Sequence, residues 1–274
     1  MLDTKKSILV TTSKSLLRLD WPSLDVIVIH RGAGLYYGMA DTPWGLAVAA
    51  RGRMVSSDIP IEEELGRILL FDESLHLFGE RIAPFPLRDL HGIAWADEAL
   101  WLTCAYDNQV IRYDGIHWSV WAPLRRPETP PYDINHFNTL WLEGNDLWLL
   151  AHNKGPSQAF RYHLPDLNLI ESISIGNIAH NLWRNPNGAL ATCSSSEGAL
   201  VASDGWKLNT GGFPRGIVFI EEKLVVGISE LSERPNRDLG SGRLLVISRS
   251  EITLSSKILS NKGLVLDLLE WPCV

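Results

Sequence analysis

Residues 133–153 read DINHFNTLWLEGNDLWLLAHN. Phe137 to Leu142 is an apolar run with Trp141 inside it, and Leu147 to Leu150 is a second one. Glu143-Gly144-Asn145-Asp146 between them is a turn, because Gly and Asn tolerate the backbone angles a tight hairpin needs. The stretch is therefore a strand, a turn and a strand, with a His or Asn just ahead of the first strand. The same unit recurs five more times along the chain, and that repetition decides the fold.

Six segments align on one template: inner strand, turn, second strand, loop, third strand, turn, outer strand. The first full copy begins at Tyr37-Gly38-Met39, with strands expected near 37–41, 45–50, 67–72 and 75–82. The second begins at His91-Gly92-Ile93, with strands near 91–96, 99–105, 109–113 and 117–121. The others begin at Asn138, His180, Arg215 and Lys262, and the last supplies one strand only. Its missing three are at the other end of the chain, at Ile8–Thr12, Leu16–Asp20 and Asp25–His30. A repeat of about 45 residues with four strands per unit is the signature of a β-propeller. The sequence thus predicts an all-β, six-bladed propeller of four antiparallel strands per blade. It is a single domain over residues 1–274, closed by pairing the C-terminal inner strand with the three N-terminal strands, so that Leu264, Leu266 and Leu268 lie beside Ile8 and Val10. A β-sandwich also suits short, evenly spaced strands, but it does not explain complementary half-units at the two ends.

Two residues into each copy stand Met39, Ile93, Leu140, Leu182, Ile217 and Leu264, all apolar. They are expected to pack between neighbouring blades, as are most of Trp95, Trp101, Trp141, Trp148 and Trp183. Gly38, Gly92, Gly216 and Gly263 sit between the two aligned positions, where a missing side chain lets inner strands crowd together.

The 274 residues are 45% hydrophobic and 21% charged, a globular composition. The net charge of −7, with no run of Lys or Arg longer than two residues, argues against a nucleic-acid partner. The three cysteines, Cys104, Cys193 and Cys273, form no C-x-x-C pair, which fits a reducing, cytoplasmic setting. The N-terminus lacks a signal-peptide core, and no window approaches the ~18 apolar residues of a membrane span.

In a propeller the loop entering each inner strand shares a face with the loop between the second and third strands. The aligned start positions Tyr37, His91, Asn138, His180, Arg215 and Lys262 are then expected around the mouth of the central channel, where ligands bind. All six carry a polar group. Two residues upstream lie Leu35, Asp89, His136, Ile178, Phe213 and Ser260. His91, His136 and His180 are candidate acid–base groups or ligands of one divalent metal ion. Asp89 could orient a histidine, Tyr37 could donate a proton, and Arg215 and Lys262 suggest a small anionic substrate. Asn138, Asn181 and Phe213 complete the candidate binding residues. Long loops at 51–66 and 229–242 read as lids or partner surfaces, and 153–157 (NKGPS) as a turn or a small anion nest.

H-G-I-A-W with L-W-L-T, and H-F-N-T-L-W with L-W-L-L, resemble the inner hairpins of six-bladed propellers of the NHL, gluconolactonase and strictosidine-synthase kind. Calcium-dependent lactonases of that group hold their metal with Glu, Asn and Asp at the channel mouth. The resemblance implies Asn138 and Asn181 as the Asn ligands, with His standing where the acidic ligands are expected. N-H-F-N-T-L-W, A-H-N-K-G-P-S and G-G-F-P-R-G are also similar to bacterial propellers of unassigned function. Two readings follow. One is a small-molecule enzyme (hydrolase, lyase or isomerase) with a His-rich centre. The other is a non-catalytic module that presents one face to a metabolite or protein partner. No G-x-S-x-G motif supports covalent acyl chemistry.

Overall fold

The computed structural model describes residues 6–125, 132–231, 233–248, 250 and 252–272. Cys273 and the Pro-Pro pair at 130–131 lie outside them. The fold is a six-bladed β-propeller with six four-stranded antiparallel sheets. The first blade takes Tyr36–Thr42, Gly45–Ala50, Arg67–Phe71 and Leu77–Arg81, within two residues of the predicted bounds. In the last blade Val265–Pro272 is the inner strand and pairs with Lys6–Thr12, which continues to Ser15–Asp20 and Asp25–Arg31. Among the described residues no helix is long and apolar enough to cross a membrane.

The chain divides into two compact units. One (1–60, 67–82 and 215–274) holds the fifth, sixth and first blades, and the other (61–66 and 83–214) holds the second, third and fourth. Within each unit second strands such as Gly45–Ala50, Ala99–Cys104 and Asp146–Ala151 bury both faces, which is why they read as apolar runs rather than alternating ones, while the outer strands are largely exposed. Along Lys6–Thr12, Ile8 and Val10 pack with Val218, Leu244 and Val246 of the fifth blade. Leu9, on the opposite face, packs with Met39, Val48 and Phe71 of the first. In the second unit Leu147 and Leu149 meet Trp101 and Val110, whereas Trp148 and Leu150 meet Leu182 and Leu190. Each fully buried leucine of this kind contributes ~1.5–3 kcal/mol relative to an exposed one. Met39, Ile93, Leu140 and Leu182 are buried as expected, while Ile217 and Leu264 are only half-buried.

The terminal pairing exists, but its register differs from expectation. Val10 opposes Leu268 and Leu9 opposes Leu269, whereas Ile8 opposes Glu270. Leu264 precedes the strand, and its N–H is taken by Ser13 Oγ at 3.0 Å. Within the first unit the early part of loop 51–66 is joined to loop 229–242. The Asp238 carboxylate accepts the N–H groups of Val55 (3.1 Å) and Ser56 (2.7 Å).

Removing residues 263–274 would leave the edge of Lys6–Thr12 unpaired and strip the cover from Ile8 and Val10. The truncated chain is expected to aggregate or to melt far below the parent in a thermal scan, and parental melting would refute the closure. A second test concerns Tyr162, buried at the junction of the second and third blades. Its hydroxyl is buried without a hydrogen-bond partner, and burial pushes its pKa up to about 12. Above an ordinary tyrosine pKa of ~10 the unfolded chain releases this proton while the folded chain keeps it, so stability falls as pH rises from there. Tyr162→Phe should be neutral or stabilising at pH 7, because it removes an unpaired polar atom. It should also lose less stability than the parent between pH 9 and 11 in denaturant titrations.

Candidate functional site

The start of the inner strands is irregular in the same way from blade to blade. The ladder slips between Tyr36 and Met39, Leu90 and Ile93, Phe137 and Thr139, His180 and Leu182, and opposite Thr11 and Thr12. Such bulges leave backbone groups unpaired and re-aim side chains. Threonine hydroxyls satisfy those groups. Thr103 Oγ1 accepts Gly92 N–H at 2.7 Å, Thr139 Oγ1 accepts Asn181 N–H at 3.0 Å, and Thr192 Oγ1 donates to Asn181 O at 2.7 Å. A Cβ on Gly92 would meet Asn138 O, Leu140 N and Thr139 Cα at 3.0–3.2 Å, so this glycine does admit the neighbouring inner strand. Just upstream, Asp89, His136 and Ile178 occupy equivalent positions and all have left-handed φ (53°, 48° and 46°). That conformation is uncommon for residues with a side chain and an outlier for Ile178. It turns Asp89 and His136 away from ordinary strand directions.

In the second unit the histidines form a row of rings. His91 lies 4.8 Å from His136 between centroids, and His136 stacks on His152 at 4.0 Å. His152 lies 5.9 Å from His180, which lies 5.6 Å from Phe213. Asn108 builds the loop that carries His136. Its side chain donates to Tyr132 O (2.7 Å) and accepts from the N–H groups of Ile134 (3.2 Å) and Asn135 (2.9 Å). Asn153 N–H donates in turn to Asn135 O at 3.1 Å, tying the His152 loop to the His136 loop.

Partners at Nδ1 decide the tautomers. His91 Nδ1 faces the Asp89 carbonyl at 2.8 Å, His136 Nδ1 faces Asp133 Oδ2 at 2.7 Å, and His180 Nδ1 faces Ser195 Oγ at 2.9 Å. Ser195 Oγ gives its own proton to Pro214 O at 2.6 Å, so it accepts from His180. Each of these rings, when neutral, carries its proton on Nδ1 and its lone pair on Nε2. The Asp89 carboxylate also lies 3.4 Å from His91 Nδ1 and 3.9 Å from His136 Nδ1.

These residues fit a metal ion in part by position and in full by chemistry. One ligating atom each from Asp89, His91 and His136 lies within 4.8 Å of the others, a spread that must contract by an ångström or so around an ion with ~2.0–2.2 Å bonds. Imidazole with carboxylate suits zinc or a redox-active first-row metal, and lacks the all-oxygen shell of calcium. The outer partners needed to orient metal-binding imidazoles are present in Asp133, the Asp89 carbonyl and Ser195. Asp133 Oδ1 is buried with no hydrogen-bond partner. Cys104 is no thiolate ligand here, since burial, aided by Asp107, Asp89 and Glu64, pushes its thiol well above the usual range.

The first unit holds Tyr37, Arg215 and Lys262. The guanidinium of Arg215 lies 4.8 Å above the Tyr37 ring, and that of Arg51 lies 5.6 Å from it. Lys262 is not at the start of an inner strand. It sits in the turn before Val265, where its N–H bonds Leu259 O. A Cβ on Gly216 would meet Asp267 Cα and Leu268 N, as one on Gly92 meets Thr139 Cα and Leu140 N. The alignment of the last copy therefore slips by four residues, because Lys-Gly-Leu imitates Arg-Gly-Ile while its Gly263 serves the turn. The residue that takes the Thr139 position is Asp267, whose Oδ2 accepts Met39 N–H at 3.2 Å.

Asn138 is drawn into the scaffold, with Nδ2 donating to Ala179 O (2.9 Å) and Oδ1 accepting from Thr139 (2.8 Å). Asn181 occupies a bulge at φ 60°, and Phe213 ends the ring row. Sequence reading does not single out Asp133, His152, Arg51 or Asp267. His152 and Arg51 follow directly on second strands, whose ends share a face with inner-strand starts, and that was the signal available.

No protein-family model matches the chain, and no curated protein sequence matches it. Solved structures share its fold. A chain of a nidogen/laminin complex superposes with TM-score 0.66 at 11% identity, over 98% of this chain and 100% of that one. A protein of unknown function from Bacteroides caccae gives 0.66 at 9%, over 98% and 99%. A "putative 6-phosphogluconolactonase" from Bacteroides fragilis gives 0.58 at 11%, over 98% of each chain. At such identities the likeness is one of fold.

Asn108→Ala should test how the site is held. Three backbone groups of residues 132–135 lose their partner, an expected loss of ~1–3 kcal/mol in denaturant unfolding. The His136 ring resonances should shift with it. An unchanged stability together with unchanged His136 signals would show that the loop orders itself.

Proposed function

We propose that the protein is a small-molecule enzyme, a hydrolase, lyase or isomerase, centred on Asp89, His91, His136 and His180 and using one divalent first-row metal ion. The observation that carries this is the convergence of Asp89, His91 and His136, one ligating atom from each lying within 4.8 Å of the others. When bound, the ion would supply Lewis-acid polarisation of a substrate oxygen. The chain's own residues orient the site. Asp133 and the Asp89 carbonyl fix two rings with their lone pairs on Nε2, and Ser195 does the same for His180. Imidazoles held in this way also serve as bases near neutral pH. The second reading, a module that docks a protein, is favoured by Leu231 and Leu239, largely exposed on loop 229–242.

The test begins with protein stripped by chelator and titrated calorimetrically with Zn²⁺, Mn²⁺ and Fe²⁺ (the last without oxygen). One equivalent should bind. His91→Ala and His136→Ala should abolish binding, and Asp133→Asn should weaken it by about 10–100-fold. Losses at pairs of sites should be non-additive, since ligands of one ion fail together. A stripped, folded parent that takes up none of the three ions would overturn the metal reading.

A further inference from the structure

Residues 61–66 belong to the second unit, although the chain on either side of them, 1–60 and 67–82, belongs to the first. They form a short strap against the segment that leads into the second blade. Gly66 N–H donates to Leu87 O at 3.0 Å, and Glu64 N–H closes a turn on Ile61 O at 3.1 Å. The Tyr106 hydroxyl donates to Glu62 Oε1 at 2.6 Å. A Cβ on Gly66 would meet Leu87 O at 2.5 Å, so glycine is what lets the strap lie this close.

The strap delivers Glu64. Its side chain is buried, and Oε1 accepts the backbone N–H of Asp89 at 2.9 Å. Asp89 is held from its other end as well, where its carbonyl accepts Ala105 N–H at 3.1 Å and faces His91 Nδ1 at 2.8 Å. A left-handed residue other than glycine persists where its surroundings over-determine it, and both backbone groups of Asp89 are engaged. In that conformation its carboxylate lies 3.4 Å from His91 Nδ1 and 3.9 Å from His136 Nδ1.

Ile178, the equivalent left-handed residue of the fourth blade, shows the same device in another form. Its N–H donates to Gly155 O at 2.8 Å, so the acceptor again comes from the loop between the second and third strands of the preceding copy. There the acceptor is a backbone carbonyl and the residue it holds is apolar. At Asp89 the acceptor is a side chain, and the residue it holds carries a metal-ligating group.

We infer that Glu64 is a positioning residue, which through the Asp89 N–H holds the Asp89 carboxylate in place for a cation. The inference rests on the reading of Asp89, His91 and His136 as a cation site, and it extends that site to the strap at 61–66.

Two variants separate reach from charge. Glu64→Asp keeps the charge but shortens the side chain by one methylene, which takes the acceptor away from the Asp89 N–H. Glu64→Gln loses the charge but keeps the reach and a carbonyl acceptor. Full-length protein stripped by chelator is titrated with Zn²⁺ by calorimetry, and ¹⁵N-labelled, metal-free samples report the Asp89 amide and the His91 ring. In Glu64→Asp the Zn²⁺ affinity should fall about 10–100-fold, as it does when a partner that orients a ligand is lost. The Asp89 amide proton should move upfield and the His91 ring signals should shift, while those of His180 stay in place. Glu64→Gln should keep most of the affinity. Parental affinity in Glu64→Asp, or a loss in Glu64→Gln as large as in Glu64→Asp, would overturn the inference. If Glu64→Asp does not fold, a large loss of Zn²⁺ affinity in folded Glu64→Gln overturns it alone. If the parent takes up no Zn²⁺, the metal-free spectra decide. Shifted Asp89 and His91 signals in Glu64→Asp then uphold the positioning and refute only the metal reading, and unchanged signals refute the positioning.

Discussion

The inner strands enter their sheets out of step, and the candidate site follows from how that defect is repaired. A bulge frees backbone donors and acceptors in a place too dry to leave them unpaired. Thr103, Thr139 and Thr192 supply hydroxyls for these groups, and Asp267 supplies a carboxylate in the last blade. Gly92 and Gly216 let adjacent backbones approach. The left-handed residues immediately before the strands carry Asp89 and His136 into the site. A regular ladder in these positions would direct the same side chains between blades, where imidazole and carboxylate would be buried without function.

The surroundings of the histidine row are acidic. Asp89 and Asp133 touch the rings, and Glu64, 2% exposed, accepts the Asp89 N–H at 2.9 Å. Asp107, nearby, has its pKa raised by burial despite its contact with Arg88. Carboxylates grouped beside imidazoles are the donor set a metal cation takes. The propellers that share this fold at 9–11% identity impose no such chemistry, because a fold hosts many sites and the site decides the task.

Much of this was legible from residues. The strand–turn–strand unit at 133–153, its five relatives and the split last blade gave the topology, since each depends on period and turn chemistry. Burial on both faces followed from uninterrupted runs such as Leu147–Leu150. The last copy shows where such reading ends. Lys262-Gly263-Leu264 matches the template in letters, but its glycine has φ 87° and belongs to a turn, which only the backbone reveals. His152 stands at the end of the very stretch that fixed the fold, and its partner is an N–H two residues on. Asp133 is three residues before His136, a spacing that signals nothing until the loop closes around Asn108.

The pairing of Lys6–Thr12 with Val265–Pro272 has a kinetic consequence. Ser7 donates its hydroxyl proton to Trp271 O across 264 positions of sequence, and Lys6 pairs with Glu270. Hairpins inside a blade close over a few residues within microseconds, whereas this joint must wait for the intervening blades to bring its halves together. Until then both halves present bare hydrogen-bonding edges, the form most open to pairing with another molecule. Folding yield at high concentration is therefore governed by how fast the last blade is completed, however stable the finished protein is.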